Sequence, residues 1–268
     1  MVLQPLRAGD PKRIGGFRLD GRLGQGAMGV VYLGYRSTRP VAVIGQAPVP
    51  RQRAKWLRKH ATVRRHVHPV LRSAPAEMAP GLERCMYCGD NQGTDIDHFE
   101  PIRENPLRTF DGSNHLLACS LCNSHLKRDV FPLADDGTPL LIDPSSEDPA
   151  AHLHLSLATG VYVDLTDRGK ETVNVFRPNR GILVRGRRRA YRVTPLLLRD
   201  WRNAVDKGDL EDAADCAAAI WEQPTADVVH AMFHQALAPG AKDIFMDDSE
   251  ALTLLRDHAV RAALLPGL

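Results

Sequence analysis

Four of the five cysteines fall in two pairs of identical spacing, Cys85-Met86-Tyr87-Cys88 and Cys119-Ser120-Leu121-Cys122. Two thiols two residues apart can share one ion, and two such pairs supply four sulfurs with no open position, the donor set of a structural zinc. Residues 85–88 and 119–122 must then meet in space, which constrains the fold more than any other feature of the chain. Zinc lowers the thiol pKa values, binds the ligands as thiolates, and ties two distant segments together where large apolar residues are few. Free or disulfide-bonded cysteines and an iron–sulfur cluster are the competing readings, and in a reducing compartment paired CxxC motifs favour metal over disulfide. Cys216 stands apart in a helical stretch and reads as core.

Between the pairs lie Asp95-Ile96-Asp97-His98-Phe99 and Asn114, while Asn123 follows Cys122 and Lys127 lies four residues further on. Phosphodiester hydrolysis requires a base to activate water, a cation to stabilise charge on the phosphorane and leaving oxygen, and groups that hold both in register. An Asp-His dipeptide by itself is commonly a surface turn; the framing by two CxxC pairs gives it weight. The whole pattern resembles the zinc-knuckle type of the HNH nuclease family: CxxC, a DH followed by Pro101, Asn114-His115-Leu116-Leu117, then CxxCNxxxK, from Cys85 to Lys127.

The resemblance implies an α+β fold with a ββα-metal core, in which a hairpin and a helix grip one divalent ion. His98 would sit on the first strand as general base, neutral near pH 7 because the unperturbed imidazole pKa is about 6.5. Asp97 and Asn123 would offer hard oxygen ligands to Mg²⁺ or Mn²⁺. Asn114 would orient His98 by holding the surrounding loop, and Lys127, one turn after Asn123, would face the same phosphate. Asn123 occupies the place where the family often has its final histidine. His115 and His125 are assigned structural or surface roles.

Beyond the core, residues 129–189 also look like a narrower group, the HNH proteins of the prokaryotic Septu and retron-associated antiphage systems. The likeness rests on DHFEP, NHLLACSLCNSHLKRDVFP, LLIDPSSEDPAAHLHL, a glycine-bearing strand and an arginine-rich stretch from Asn179 to Arg189. That group works with an ATPase partner, so the resemblance implies one here.

Charge bears on the substrate. The net charge is only +3, but Arg51 to Arg72 holds eight Lys or Arg without an acid, and Arg177 to Arg192 holds seven Arg without an acid. Stripes of this kind suit a nucleic acid, DNA being the expected one, with Arg185, Arg187, Arg188 and Arg189 as the contacts; solvated helix faces are the alternative. A non-catalytic zinc-knuckle module that binds DNA or protein through these arginines is the main rival to a nuclease.

The chain start carries a different signal. Gly24-Gln25-Gly26-Ala27-Met28-Gly29-Val30-Val31 has the GxGxxGxV pattern and resembles the phosphate-covering loop of bacterial Ser/Thr kinases, with Pro40-Val41-Ala42-Val43 continuing as their third strand. Ile44 stands where the phosphate-pairing lysine belongs, and no HRD or DFG triplet occurs, which excludes a working kinase. A dinucleotide site is equally disfavoured, since Val30-Val31-Tyr32-Leu33 predicts a strand where that motif needs a helix.

Four segments result: 1–48, a kinase-like glycine-rich β remnant of three strands without catalytic role; 49–82, a basic helical segment after a linker at Gln46–Pro50; 83–192, the nuclease domain with a β appendage; and 193–268, about four helices broken at Pro224 and Pro239-Gly240. The runs PLLID, LHLSL, VYVDL and TVNVF are expected as strands of the appendage. With 43% hydrophobic and 25% charged residues the chain is foldable, and with neither a long apolar run nor a secretory leader it is expected in the cytoplasm.

Overall fold

The computed structural model describes residues 4–8, 12–14, 17–26, 29–36, 39–44, 68–109 and 111–265. Helices and small antiparallel sheets make it α+β. The chain divides into two compact units, Met1–Ala79 with Gly93–Phe131, and Pro80–Gln92 with Pro132–Leu268. These boundaries differ from the four sequence segments, because the stretch 83–192 contributes to both units.

In the first unit the β-branched and glycine-punctuated start forms β1 (Arg13–Ile14), β2 (Phe17–Gly26), β3 (Gly29–Arg36) and β4 (Arg39–Ile44). They make an antiparallel sheet in chain order, so the three expected strands are joined by a two-residue fourth. β2 and β3 pair Gly26 with Gly29 and shift register between Leu19 and Gly21 and between Arg22 and Gly24. Glycine in a strand marks such bulges, having no side chain to pack. The glycine pattern therefore leads from strand to strand, and the helix that a dinucleotide site needs is absent from this position.

The linker and most of the basic helix expected over 49–82 lie outside the described residues. What is described is α1 (His68–Met78). Pro69 falls in its first turn, where proline forfeits no intrahelical bond. Next come β5 (Asp95–His98) and β6 (His115–Ala118), paired antiparallel with Asp97 opposite Leu116 and His98 opposite His115. A helical turn, Leu121–Lys127, follows β6 directly. It is wide, with Arg128 N–H donating to Asn123 O at 2.7 Å, and ends where Arg128 takes φ 51°.

The second unit holds the hairpin β7 (Leu153–Ser156) and β8 (Val161–Asp164). Gly160 in its turn has φ +73°, and a Cβ there would meet Val184 O at 2.6 Å, so only glycine fits. Then come α2 (Asp167–Phe176), α3 (Gly181–Lys207), α4 (Leu210–Glu222), α5 (Asp227–Gln235), α6 (Ala241–Ile244), α7 (Ser249–Arg256) and α8 (His258–Leu264). Side-chain caps at Thr166, Asp209, Asp248 and Asp257 start four of these, and Gly208 at φ 74° ends α3. Leu198, Ile220, Val229, Met232, Phe233 and Leu255 are almost wholly buried in their common core. Each such burial stabilises by about 1.5–3 kcal/mol.

Two expectations are corrected here. TVNVF is the C-terminal half of α2 rather than a strand, because the Thr166 cap and Asp167 in the first turn start a helix that outweighs β-branched propensity. PLLID forms no named strand; only Leu133 and Pro139 pair there, in an isolated bridge. The helical region thus begins at Asp167, not 193, takes in the arginine cluster on α3, and has six described helices from α3 onward where four were expected. Cys216, on α4, packs against the core as anticipated.

Candidate metal centre and histidine site

Cys85, Cys88, Cys119 and Cys122 are all buried and none is in a disulfide. Their ligand atoms lie within 4.8 Å of one another. A tetrahedral zinc with Zn–S bonds of about 2.3 Å has sulfur–sulfur edges of about 3.8 Å, so the cluster can hold one such ion. The local backbone suits this. Gly89, at φ +64°, donates its N–H to Cys85 O at 2.8 Å, Cys85 donates to Asn91 O at 2.8 Å, and Cys122 N–H points at Cys119 Sγ at 3.5 Å. An N–H aimed at a sulfur favours the thiolate that a metal requires. Among the described residues no other group of three or more His, Cys, Asp or Glu is placed to hold a metal.

His98 ends β5 and faces His115 across the hairpin. Thr109 O lies 2.8 Å from His98 Nε2 and 3.0 Å from His115 Nε2, and the two Nε2 atoms are 3.3 Å apart. The rings meet edge to face with centroids 4.8 Å apart. A carbonyl oxygen has two lone pairs and can only accept, so both rings can bond it in the Nε2–H form, which leaves His98 Nδ1 as its basic nitrogen. His115, expected to be structural or on the surface, is a buried neighbour of His98. Only strand pairing could have revealed it, because residues 98 and 115 are far apart in sequence.

The loop that supplies Thr109 O is stapled on both sides. Asn114, fully buried, accepts from Glu100 N–H at 2.8 Å and donates to Glu100 O at 3.0 Å and Arg108 O at 3.3 Å. Arg108 donates to Glu100 and Asp111, and Asp111 caps Ser113. Burial alone would raise the Asp111 pKa; the bonds from Ser113 and Arg108 outweigh it and hold the carboxyl below its usual range. With a depressed pKa, this staple stabilises the loop at neutral pH and is lost as the carboxyl protonates in acid.

Lys127 is a correction. Placed by sequence to face a phosphate, it is fully buried, with Nζ 2.6 Å from His98 O and 3.0 and 3.3 Å from the two Asp97 carboxylate oxygens. A buried carboxylate captures the nearest cation because an uncompensated charge there is costly. Asn123, in the helical turn, is half-buried, and His125 is exposed, bonded to Ser120 O at 3.1 Å.

Arg187 is a second correction. Arg185, Arg188 and Arg189 are exposed on α3, but Arg187 is buried, 2.8 Å from Asp227 Oδ2, donating to Pro178 O and Gly160 O and lying 4.5 Å from the Tyr162 ring centre. It falls in the buried series Leu183, Arg187, Ala190, Thr194, whose spacing of three and four turns it inward. It cannot reach a nucleic acid.

No family model matches the chain, and no solved structure matches it. Over about half its length it is similar to a curated protein of Thermomonospora curvata described as "Probable serine/threonine-protein kinase PkwA", 32% identical over 157 residues, 53% of this chain and 21% of that protein. The chain thus spans about a fifth of that relative, and the likeness is longer than the glycine-rich stretch at 14–44. No described helix is long and apolar enough to cross a membrane.

Proposed function

We propose that this protein is a metal-dependent HNH-type endonuclease of nucleic acid, DNA being the expected substrate, framed by a structural zinc on the four cysteines. What chiefly supports the reading is His98 at the end of β5, its Nε2 engaged by Thr109 O and its loop stapled by Asn114, with the Asn123 turn following the paired strand. A base so oriented can take a proton from water through Nδ1.

Asp97 and Asn123 are the residues that would hold a Mg²⁺ or Mn²⁺ ion, one carboxylate and one amide being enough for an ion that keeps waters and takes phosphate oxygens. When bound, the ion supplies positive charge to the phosphorane and the leaving oxygen. Lys127 pairs with Asp97, and Asn114 holds the loop around His98. The likeness to antiphage HNH proteins extends the proposal to an effector role beside an ATPase partner.

The test is one incubation of pure protein with plasmid and Mn²⁺ beside His98→Ala. Loss of a positioned base lowers the rate by about 10²–10⁴. Equal cleavage by both proteins would refute the base assignment. Arg185→Ala, Arg188→Ala and Arg189→Ala are each expected to lower the salt slope of DNA binding by about 0.9, if each meets one phosphate of a duplex. Fluorescence anisotropy over a salt series reads this, and unchanged slopes would remove these arginines from the interface.

One observation favours a second reading, a non-catalytic zinc-knuckle module: the Lys127 ammonium contacts both oxygens of Asp97 and opposes a second cation on them. That reading expects salt-sensitive binding with no Mn²⁺-dependent cleavage.

A further inference from the structure

The unit formed by Pro80–Gln92 and Pro132–Leu268 holds a cavity of about 260 Å³ that the nuclease reading does not use. Met86, Ile142, Leu153, Phe176 and Trp221 give it an apolar wall. An apolar cavity of about 150 Å³ is large enough for benzene, so this one has room for a six-membered ring with a substituent. Other polar atoms of the wall residues are already engaged. Trp221 Nε1–H donates to Leu264 O at 2.9 Å, the Tyr162 hydroxyl donates to Asp227 Oδ2 at 2.9 Å, and Thr172 Oγ1 accepts from Ile142 N–H at 3.0 Å.

Arg187 differs. Its Nε–H donates to Asp227 Oδ2 at 2.8 Å, and Nη1 donates to Pro178 O at 2.8 Å and to Gly160 O at 3.3 Å. Nη2 donates to no acceptor among the described residues. Nor is Nη2 among their inaccessible polar atoms that lack a partner. The side chain is 2% exposed and lines the cavity, so the little surface it keeps includes Nη2 and opens there. A guanidinium N–H held this far inside calls for an acceptor, because a buried donor left unmatched costs free energy.

The acceptor that fits is uncharged. Asp227 already offsets Arg187, and a second anion would stand against the same carboxylate. Tyr162 adds no charge, because burial and the nearby Asp227 push its pKa well above 10. His230, also in the wall, is neutral near pH 7, since desolvation lowers its pKa by more than Asp227 and Asp148 raise it. We propose that the cavity binds a small uncharged molecule with an apolar body and one carbonyl group, of the amide or ketone class, whose oxygen accepts from Arg187 Nη2 while the body fills the apolar wall.

The test uses the full zinc-loaded chain, because the wall segment at Met86–Gly89 includes Cys88. Four soluble probes with one ring in common are offered singly: cyclohexanecarboxamide, cyclohexyl methyl ketone, cyclohexanecarboxylate and cyclohexylmethylammonium. Binding is read by saturation-transfer NMR and titration calorimetry. The amide or the ketone is expected to bind, and the carboxylate and the ammonium to bind about tenfold more weakly or worse, the first for its charge and the second for want of an acceptor. This series tests the Arg187 contact without touching the fold. Pro149→Trp, at an exposed residue of the lining, is expected to block entry of the amide and the ketone. The proposal is overturned if neither carbonyl probe binds at millimolar concentration, if either charged probe binds as tightly as they do, or if folded Pro149→Trp retains wild-type affinity. DNA cleavage is not a readout, so the outcome is independent of the nuclease reading.

Discussion

Stripping zinc with a chelator, or making Cys122→Ser, is expected to unfold the region from β5 through the Leu121–Lys127 turn. The effect is large because little else is offered there: β5 and β6 are four residues each, and the turn that carries Asn123 and Lys127 begins at the cluster itself. Structural zinc contributes about 10–16 kcal/mol in small metal-organised domains near neutral pH. Purified protein should carry about one zinc per chain. Elemental analysis checks the content, and near-ultraviolet circular dichroism before and after chelation checks the unfolding. A protein with no zinc, or with an unchanged spectrum after its removal, would overturn the metal assignment. Acid should release the ion as well, since protonated thiols do not bind it.

Lys127→Met is expected to destabilise the same unit by about 3–5 kcal/mol, the cost of leaving a buried carboxylate without its cation. Asp97 is 3% exposed and Lys127 is fully buried, so water cannot replace the lost ammonium. The His98 carbonyl would lose its 2.6 Å donor at the same time. Calorimetry on the single variant and on Lys127→Met with Asp97→Asn separates the causes. Neutralising both members should recover much of the stability, because a pair replaced by neutral groups avoids the buried charge. A double variant no more stable than Lys127→Met would show that the ion pair is not what holds this segment.

The kinase likeness and the histidine site bear on different chemistry. The start of the chain has the glycine spacing of a phosphate-covering loop, and β2 and β3 form the antiparallel pair expected of one. Ile44, at the end of β4, still offers no ammonium to a phosphate. The similarity to a protein of Thermomonospora curvata described as a probable serine/threonine-protein kinase covers 53% of this chain and 21% of that protein.

Sequence by itself determined what depends on local spacing. Two CxxC pairs announce a tetrahedral sulfur set because ligand geometry is fixed by a three-residue step. About four helices of the C-terminal half are announced by apolar residues at helical spacing and by breaks at Pro224 and Pro239-Gly240, because periodicity and proline act over a few neighbouring residues. Tertiary structure alone decided what depends on distant partners. Lys127 turned inward because Asp97, thirty positions away, is buried beneath it. Arg187 left the basic stripe because Asp227 and two carbonyls meet it inside the second unit, and TVNVF became helix because its cap and packing outweigh strand propensity. Periodicity states that a residue is buried; only the folded chain states against what, and for a charged side chain that difference reverses its role.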